Sequence, residues 1–391
     1  MRAGLGLLCL AYVLSQFFRA FLAVLSPLLE RDIGARPDDL AFASGLWFLA
    51  FAVMQLPVGW ALDRIGPRRT ASVLLLVGGG GGAAIFALAQ GPAHINIAML
   101  LIGVGCSPVL MASYYIFARQ FPPARFATLA ALMLGVGSVG NLVASYPMAL
   151  AAETIGWRAA LAGLAGLSAA VAVGLLVLVR DPPAAEGDTR GSILDLLRMP
   201  ALWAIFPLMF VGYAPSAAVR GLWMGPYLGD VFALSTAQIG TATLVMGVAM
   251  ICGTLCYGPL DRIFGTHKWV IFTGNLLAAG AALALAATVG QGVVLSIALC
   301  AAMGFFGASF PVLIAHARTF FPAHLAGRGV TLLNLFGIGG VGVAQFVTGP
   351  VHAAGQASGD PVAGYVLLFG FFGLVHLTGT LIYLASRDNR G

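Results

Sequence analysis

The sequence runs to 391 residues, 60% hydrophobic and 9% charged, with a mean hydropathy of +0.96. Soluble domains are roughly 45–50% apolar and 25% charged, so a soluble enzyme or binding domain of any size is excluded. The formal charge of +6 comes from basic residues in short connections rather than from a basic face or tail, which argues against nucleic acid as a partner.

A helix needs about 20 apolar residues to cross a bilayer. In chain order such segments are predicted at 5–28, 40–62, 70–90, 95–118, 127–150 and 158–179, then at 202–228, 238–260, 269–289, 293–316, 328–350 and 362–385. The N-terminal stretch continues apolar to Pro27 with no small-residue cleavage site, and reads as the first membrane helix rather than a signal peptide. The glycine runs at 78–82 and 135–141 follow no strand and lack a Gly-Lys-Ser/Thr ending. They predict close helix contacts rather than a phosphate loop. The widest polar connection, rich in Pro, Gly and charge, lies at 180–200. The expected organisation is an all-α membrane protein of twelve transmembrane helices in two pseudo-symmetric six-helix bundles, 1–180 and 201–391, joined by a cytoplasmic linker at 181–200.

The halves repeat. Tyr12, Arg19, Pro27 and the sequence GWALDRIGPRR at 59–69 return as Tyr213, Arg220, Pro226 and YGPLDRIFGTHK at 257–268. A third match pairs FARQFPPARFATL at 117–129 with HARTFFPAHLAGRGVTL at 316–332. Lys and Arg set the expected orientation. Only Arg31, Arg36 and Arg158 fall on one face and Arg19 and Arg220 within helices; the rest of the 20 share the other face, Arg190 and Arg390 included. Both termini are therefore expected in the cytoplasm, in a bacterial-type inner membrane.

Arg19 and Arg220 are the sharpest signal. A charge near the centre of a membrane helix costs about 2.5–3.5 kcal/mol on insertion scales, so such residues face a bundle interior and mark function by default. Helical spacing puts Tyr12, Ser15 or Gln16, Arg19, Ala23 and Ser26 on one stripe, and Tyr213, Ser216, Arg220, Met224 and Tyr227 on its counterpart. Two guanidiniums facing one pocket repel unless an anion separates them, and Arg suits a carboxylate or phosphate bidentately. The competing reading is an Arg19 that snorkels to the outer interface. All 14 acidic residues fall in loops or at helix ends, so a mid-membrane proton-relay carboxylate is absent. His316 and His376 are candidate titrating groups, read first as interfacial or packed. Asp63 with Arg119, and Asp261 with Arg318, are expected to pair at helix ends and break when the halves move. Trp47, Gln55, Tyr114, Tyr115, Asn141 and Asn334 are further polar candidates in the helices.

A soft-metal alternative rests on Met246 and Met250, with Cys252 and Cys256 following at the same spacing. At 100° per residue the two pairs point to nearly opposite sides of the helix, so one helix cannot join them. The five cysteines make neither a disulfide framework nor a zinc ribbon. No nucleophile–base set appears, and neither an enzyme nor a cofactor is expected.

GWALDRIGPRR resembles the loop signature of the major facilitator superfamily, Gly-x-x-x-Asp-Arg-x-Gly followed by basic residues: Gly59, Asp63, Arg64, Gly66, Arg68 and Arg69 here. The second copy, Asp261, Arg262, Gly265 and Lys268, is the degraded form that family shows. The resemblance implies two bundles rocking around a central cavity, gated by Asp63, Arg64, Arg68, Arg119, Asp261, Arg262 and Arg318. The arginine pair is similar to that of the organophosphate antiporters of the same superfamily. The expected function is secondary transport of a small organic anion, a carboxylate or phosphate ester. Arg19, Arg220, Tyr12, Tyr213, Gln16, Tyr114, Asn141 and Asn334 are the expected substrate residues. The alternatives are a Cu(I) importer using Met246 and Met250, a carrier of a planar aromatic metabolite such as a flavin, and a non-transporting scaffold. A monomer whose partners are the bilayer and a small anion is expected.

Overall fold

The computed structural model describes residues 2–182, 193–322, 325–357 and 359–388. Half of the linker at 181–200, with Arg190, and the terminal Arg390 lie outside these residues. Among the described residues, nine single helices are long and apolar enough to cross a membrane, and three bent pairs bring the total to twelve. In a bilayer every backbone N–H and C=O must be satisfied within the segment, which is why this composition folds into helices alone.

Counted along the chain, α1 is the pair Gly4–Phe17 and Leu22–Ile33, bent by 54°, and α2 the pair Pro37–Val53 and Gln55–Arg64, bent by 40°. Then come α3 (Pro67–Ala87), α4 (Pro92–Gln120), α5 (Thr128–Val143 and Tyr146–Thr154, bent by 40°) and α6 (Trp157–Leu178). The second six are α7 (Pro200–Phe232), α8 (Thr236–Phe264), α9 (His267–Ala287), α10 (Val293–Arg318), α11 (Arg328–Gln356) and α12 (Val362–Tyr383). All twelve sequence segments are recovered, and the helices run several residues beyond most of them.

Chain contacts divide the molecule into two compact units, Met1–Gly187 with Ser235–Thr241, and Asp188–Leu234 with Ala242–Gly391. Within the first, the start of α8 is held by Glu153, whose carboxylate accepts from the Ala237 N–H at 2.9 Å.

Glycine sets the helix crossings in both units. A Cβ on Gly140 of α5 would lie 2.0 Å from the Val13 carbonyl oxygen of α1, and one on Gly340 of α11 1.8 Å from that of Phe210 in α7. The glycine run of α3 does the same work: a Cβ on Gly78 would meet Gly105 of α4 at 2.6 Å. Only backbone-to-backbone packing fits there. The turns after α2 and α8 also repeat, with Gly66 at φ 96° and Gly265 at φ 62°, the left-handed region that favours glycine. Outward faces carry exposed Trp60, Val77, Leu255 and Val294, as a bilayer-facing surface requires.

Candidate functional site

Arg19 sits in the break of α1, fifteen residues after Gly4 and fourteen before Ile33. It lies at mid-span, not at an end from which it would snorkel. Pro27 leaves the Ala23 carbonyl without its helical donor, and the Ser26 hydroxyl takes it at 3.1 Å. Because α1 bends between Phe17 and Leu22, the straight stripe running on to Ala23 and Ser26 is interrupted there.

The Arg19 guanidinium lies over the rings of Phe51 and Trp47 of α2, 4.8 and 5.3 Å from their centroids. Cys106 of α4 lies within electrostatic reach of Arg19, its thiol beside Ser15. Arg19 Nε, Gln16 Oε1 and the indole Nε1 of Trp47 are buried without a hydrogen-bond partner. An unmade buried bond costs roughly 1–3 kcal/mol, so each of these atoms is costly as it stands. Tyr12 packs against Gly137 of α5 and is within electrostatic reach of Tyr114 of α4. The first unit therefore brings Arg19 against Trp47 and Phe51, and Tyr12 within reach of Tyr114, with Gln16 half-buried one turn before Arg19.

In the second unit Arg220 is buried, in a π-helical stretch, Val219–Trp223, inside α7. Such stretches are rare and concentrate at functional sites. Tyr213 is its electrostatic neighbour, with its own ring 5.6 Å from Phe310. Asn334 is half-buried on α11 and Asn141 half-buried on α5. Gln55 bonds the carbonyls of Phe51 and Ser107, which ties α2 to α4. Met246 and Met250 both cover Gly304 of α10, whereas Cys252 and Cys256 are exposed. The thioethers fill a helix crossing.

At the basic end of the first unit, Asp63 pairs with Arg119 at 3.9 Å, and the Arg119 guanidinium stacks on Tyr115 at 3.5 Å. Arg64 is exposed and Arg68 half-buried. In the second unit Asp261 pairs instead with His267 at 3.4 Å, while Arg262 and Arg318 are exposed. His267 stacks on His316, and the two His316 nitrogens meet the Tyr383 hydroxyl and the Arg387 carbonyl. His376, in mid-span, is bonded to Asn275 of α9, which in turn donates to Ser309.

Two acids that the sequence reading passed over join this end. Asp181, just after α6, accepts from the Arg68 N–H at 2.7 Å at the start of α3. Asp388, just after α12, accepts from Thr266 Oγ1 at 2.6 Å and from the His267 and Lys268 N–H groups at 3.2 Å each, at the start of α9. The repeated Arg-Asp dipeptide, 180–181 and 387–388, was the available signal. Each half thus ends on a carboxylate that caps its own third helix. Burial pushes the Asp388 carboxyl up, but its three hydrogen bonds outweigh this and hold it below the ordinary range. A depressed carboxylate stabilises the fold above its unfolded value, about pH 3.9, and the benefit is lost as pH falls through the folded value. The melting-temperature gap between wild type and Asp388→Asn is expected to be widest near neutrality and to close in acid; a constant gap would contradict the cap.

The comparisons with known proteins follow this architecture. The family model described as Major Facilitator Superfamily matches residues 8–344. A probable sulfoacetate transporter of Cupriavidus necator is 23% identical over 300 residues, 71% of this chain and 68% of that one. A 4-hydroxybenzoate transporter of Pseudomonas putida is 30% identical over 150 residues, 37% of this chain but only 32% of its own length. Among solved structures, a D-xylose–proton symporter superposes with a TM-score of 0.80 at 15% identity, covering 99% of this chain and 98% of that one. The matched model spans most of both halves, and twelve spans, repeated loop and overall fold agree with it: the chain is a multi-pass membrane transporter belonging to the Major Facilitator Superfamily.

Proposed function

We propose that this transporter carries a small organic anion by alternating access, with Arg19 and Arg220 as the anion-recognising side chains of the two halves. The observation that supports this most is their placement. Each occupies the irregular stretch of its half's first helix, a 54° break for Arg19 and a π-helical segment for Arg220. Irregular backbone at membrane depth is tolerated where it lines a cavity, and broken helices carry the substrate sites of many transporters. The aromatic walls at Trp47 and Phe51 suit a planar carboxylate, and the relatives named for 4-hydroxybenzoate and sulfoacetate favour the same class. Asp63 with Arg119 is the proposed gate contact, with Asp261 its counterpart in the second half, at an end taken as cytoplasmic.

The test is thermal stability of the purified protein against 4-hydroxybenzoate, sulfoacetate, a phosphate ester and Cu(I). A ligand at about 100 times its Kd adds about 2.7 kcal/mol to the folded state. A carboxylate or sulfonate is expected to raise the melting temperature of wild type and not of Arg19→Ala. A rise with Cu(I) alone, unchanged in Arg19→Ala, would overturn the anion reading.

A further inference from the structure

The second unit holds a cluster of ionisable and aromatic groups that the anion site does not use, towards the C-terminal end of α7. His352 of α11 is fully buried between two rings. Trp223 of α7 lies on one side, centroid to centroid 4.9 Å, and Tyr365 of α12 on another at 4.6 Å. The Tyr365 hydroxyl donates to Asp230, an exposed residue near the end of α7 and within electrostatic reach of His352. Gln356 Nε2 lies 3.4 Å from His352 Nε2. A Cβ on Gly364 would come within 2.9 Å of the imidazole, so α12 closes tightly over it. The other titratable or charged groups around the cluster are Tyr227 on α7, bonded to Ser296, Cys300 on α10 beside Tyr227, and Asp360 at the start of α12.

If His352 served only to fill space, an apolar ring would do so without the cost of burying polar nitrogens. An imidazolium has more to gain here. It packs at a tilt of 52° against an indole, the best aromatic partner for a cation, and lies within electrostatic reach of the Asp230 carboxylate. Asp230 is exposed, so a proton can reach the cluster from water. The cluster also touches the anion-recognition stretch: Trp223 belongs to the π-helical segment that carries Arg220, and its indole N–H is held by Gln345 and Thr348 of α11 at 3.1 Å each. An ionisable residue inside a membrane protein is a functional site by default.

We propose that His352, with Asp230 as counter-ion and Trp223 and Tyr365 as its walls, is a proton-binding site of this transporter. The proton comes from water and returns to it, and its binding alters the packing of the segment that holds Arg220. This assignment does not require the anion reading, because it can be tested with no substrate present.

A protonated imidazole quenches an adjacent indole, so Trp223 emission reports the site. The full-length purified protein is titrated from about pH 8 to about pH 6, the range in which histidine charges, and the Trp223→Phe trace is subtracted. The expected result is a reversible loss of emission, absent in His352→Gln and weaker at about pH 6 in Asp230→Asn. The last substitution lies at an exposed position and removes only the charge, so it reads the site even where a core variant folds poorly. Emission that stays flat in wild type, or a loss that persists undiminished in both His352→Gln and Asp230→Asn, would overturn the proposal.

Discussion

Replacing Arg220 by alanine is expected to abolish anion-induced stabilisation and transport while leaving the ligand-free protein as stable as wild type or more so. Arg220 is 6% exposed in a membrane helix, where a charge costs about 2.5–3.5 kcal/mol on insertion scales. Its electrostatic neighbour Tyr213 offers a phenol rather than a carboxylate. A purely structural arginine would show the opposite pattern, with melting temperature falling and any ligand response intact. Arg220→Lys separates charge from shape: an ammonium keeps the charge but loses the planar fork, and is expected to bind the anion far more weakly than wild type. Melting curves of the three proteins, with and without anion, decide between these outcomes.

The second large effect is expected at the glycine crossings. Gly140 and Gly340 lie on helices that correspond across the repeat, and a Cβ at either would enter the backbone of the facing helix, Val13 or Phe210. Backbone cannot swing aside as a side chain can, so Gly140→Ala or Gly340→Ala must push the first and fifth helices of its bundle apart. Overpacking costs typically about 1–3 kcal/mol, and here the loss of a whole helix contact is added. Both variants are expected to lose folded protein and melt earlier. Gly135→Ala and Gly339→Ala are the controls, since nothing stands within 4 Å of a Cβ at either position. Controls that melt with the crossing variants would contradict the account.

Much of this was legible from composition and spacing, because the bilayer admits so few backbone solutions. The twelve spans, the repeat, the motif loop and the Asp63–Arg119 pairing follow from local sequence and charge placement. The departures from helical regularity were not. Nothing in the residues around Phe17 announces a 54° bend, and Val219–Trp223 has no sequence mark of a π-helical stretch. Trp47 was noticed as a polar residue, but its place against Arg19 depends on how α2 packs on the break in α1. The expected Asp261–Arg318 pairing carried the first half's chemistry across the repeat. In the second half His316 stands where Phe117 does in the first, and His267 takes the aspartate. His352 was passed over because Asp230 comes from a helix far away in sequence and Tyr365 from across the turn to the next helix. Periodicity reports a helix's own face. It does not report what another helix brings to that face.

The most direct measurement is uptake of a labelled anion, chosen as the best stabiliser of the purified protein, into proteoliposomes holding wild type, Arg19→Ala or Arg220→Ala. The account predicts saturable uptake by wild type and background levels for both variants at equal amounts of reconstituted, folded protein. Uptake by either variant at the wild-type rate would contradict it, and would leave that arginine a structural residue in an otherwise unassigned carrier.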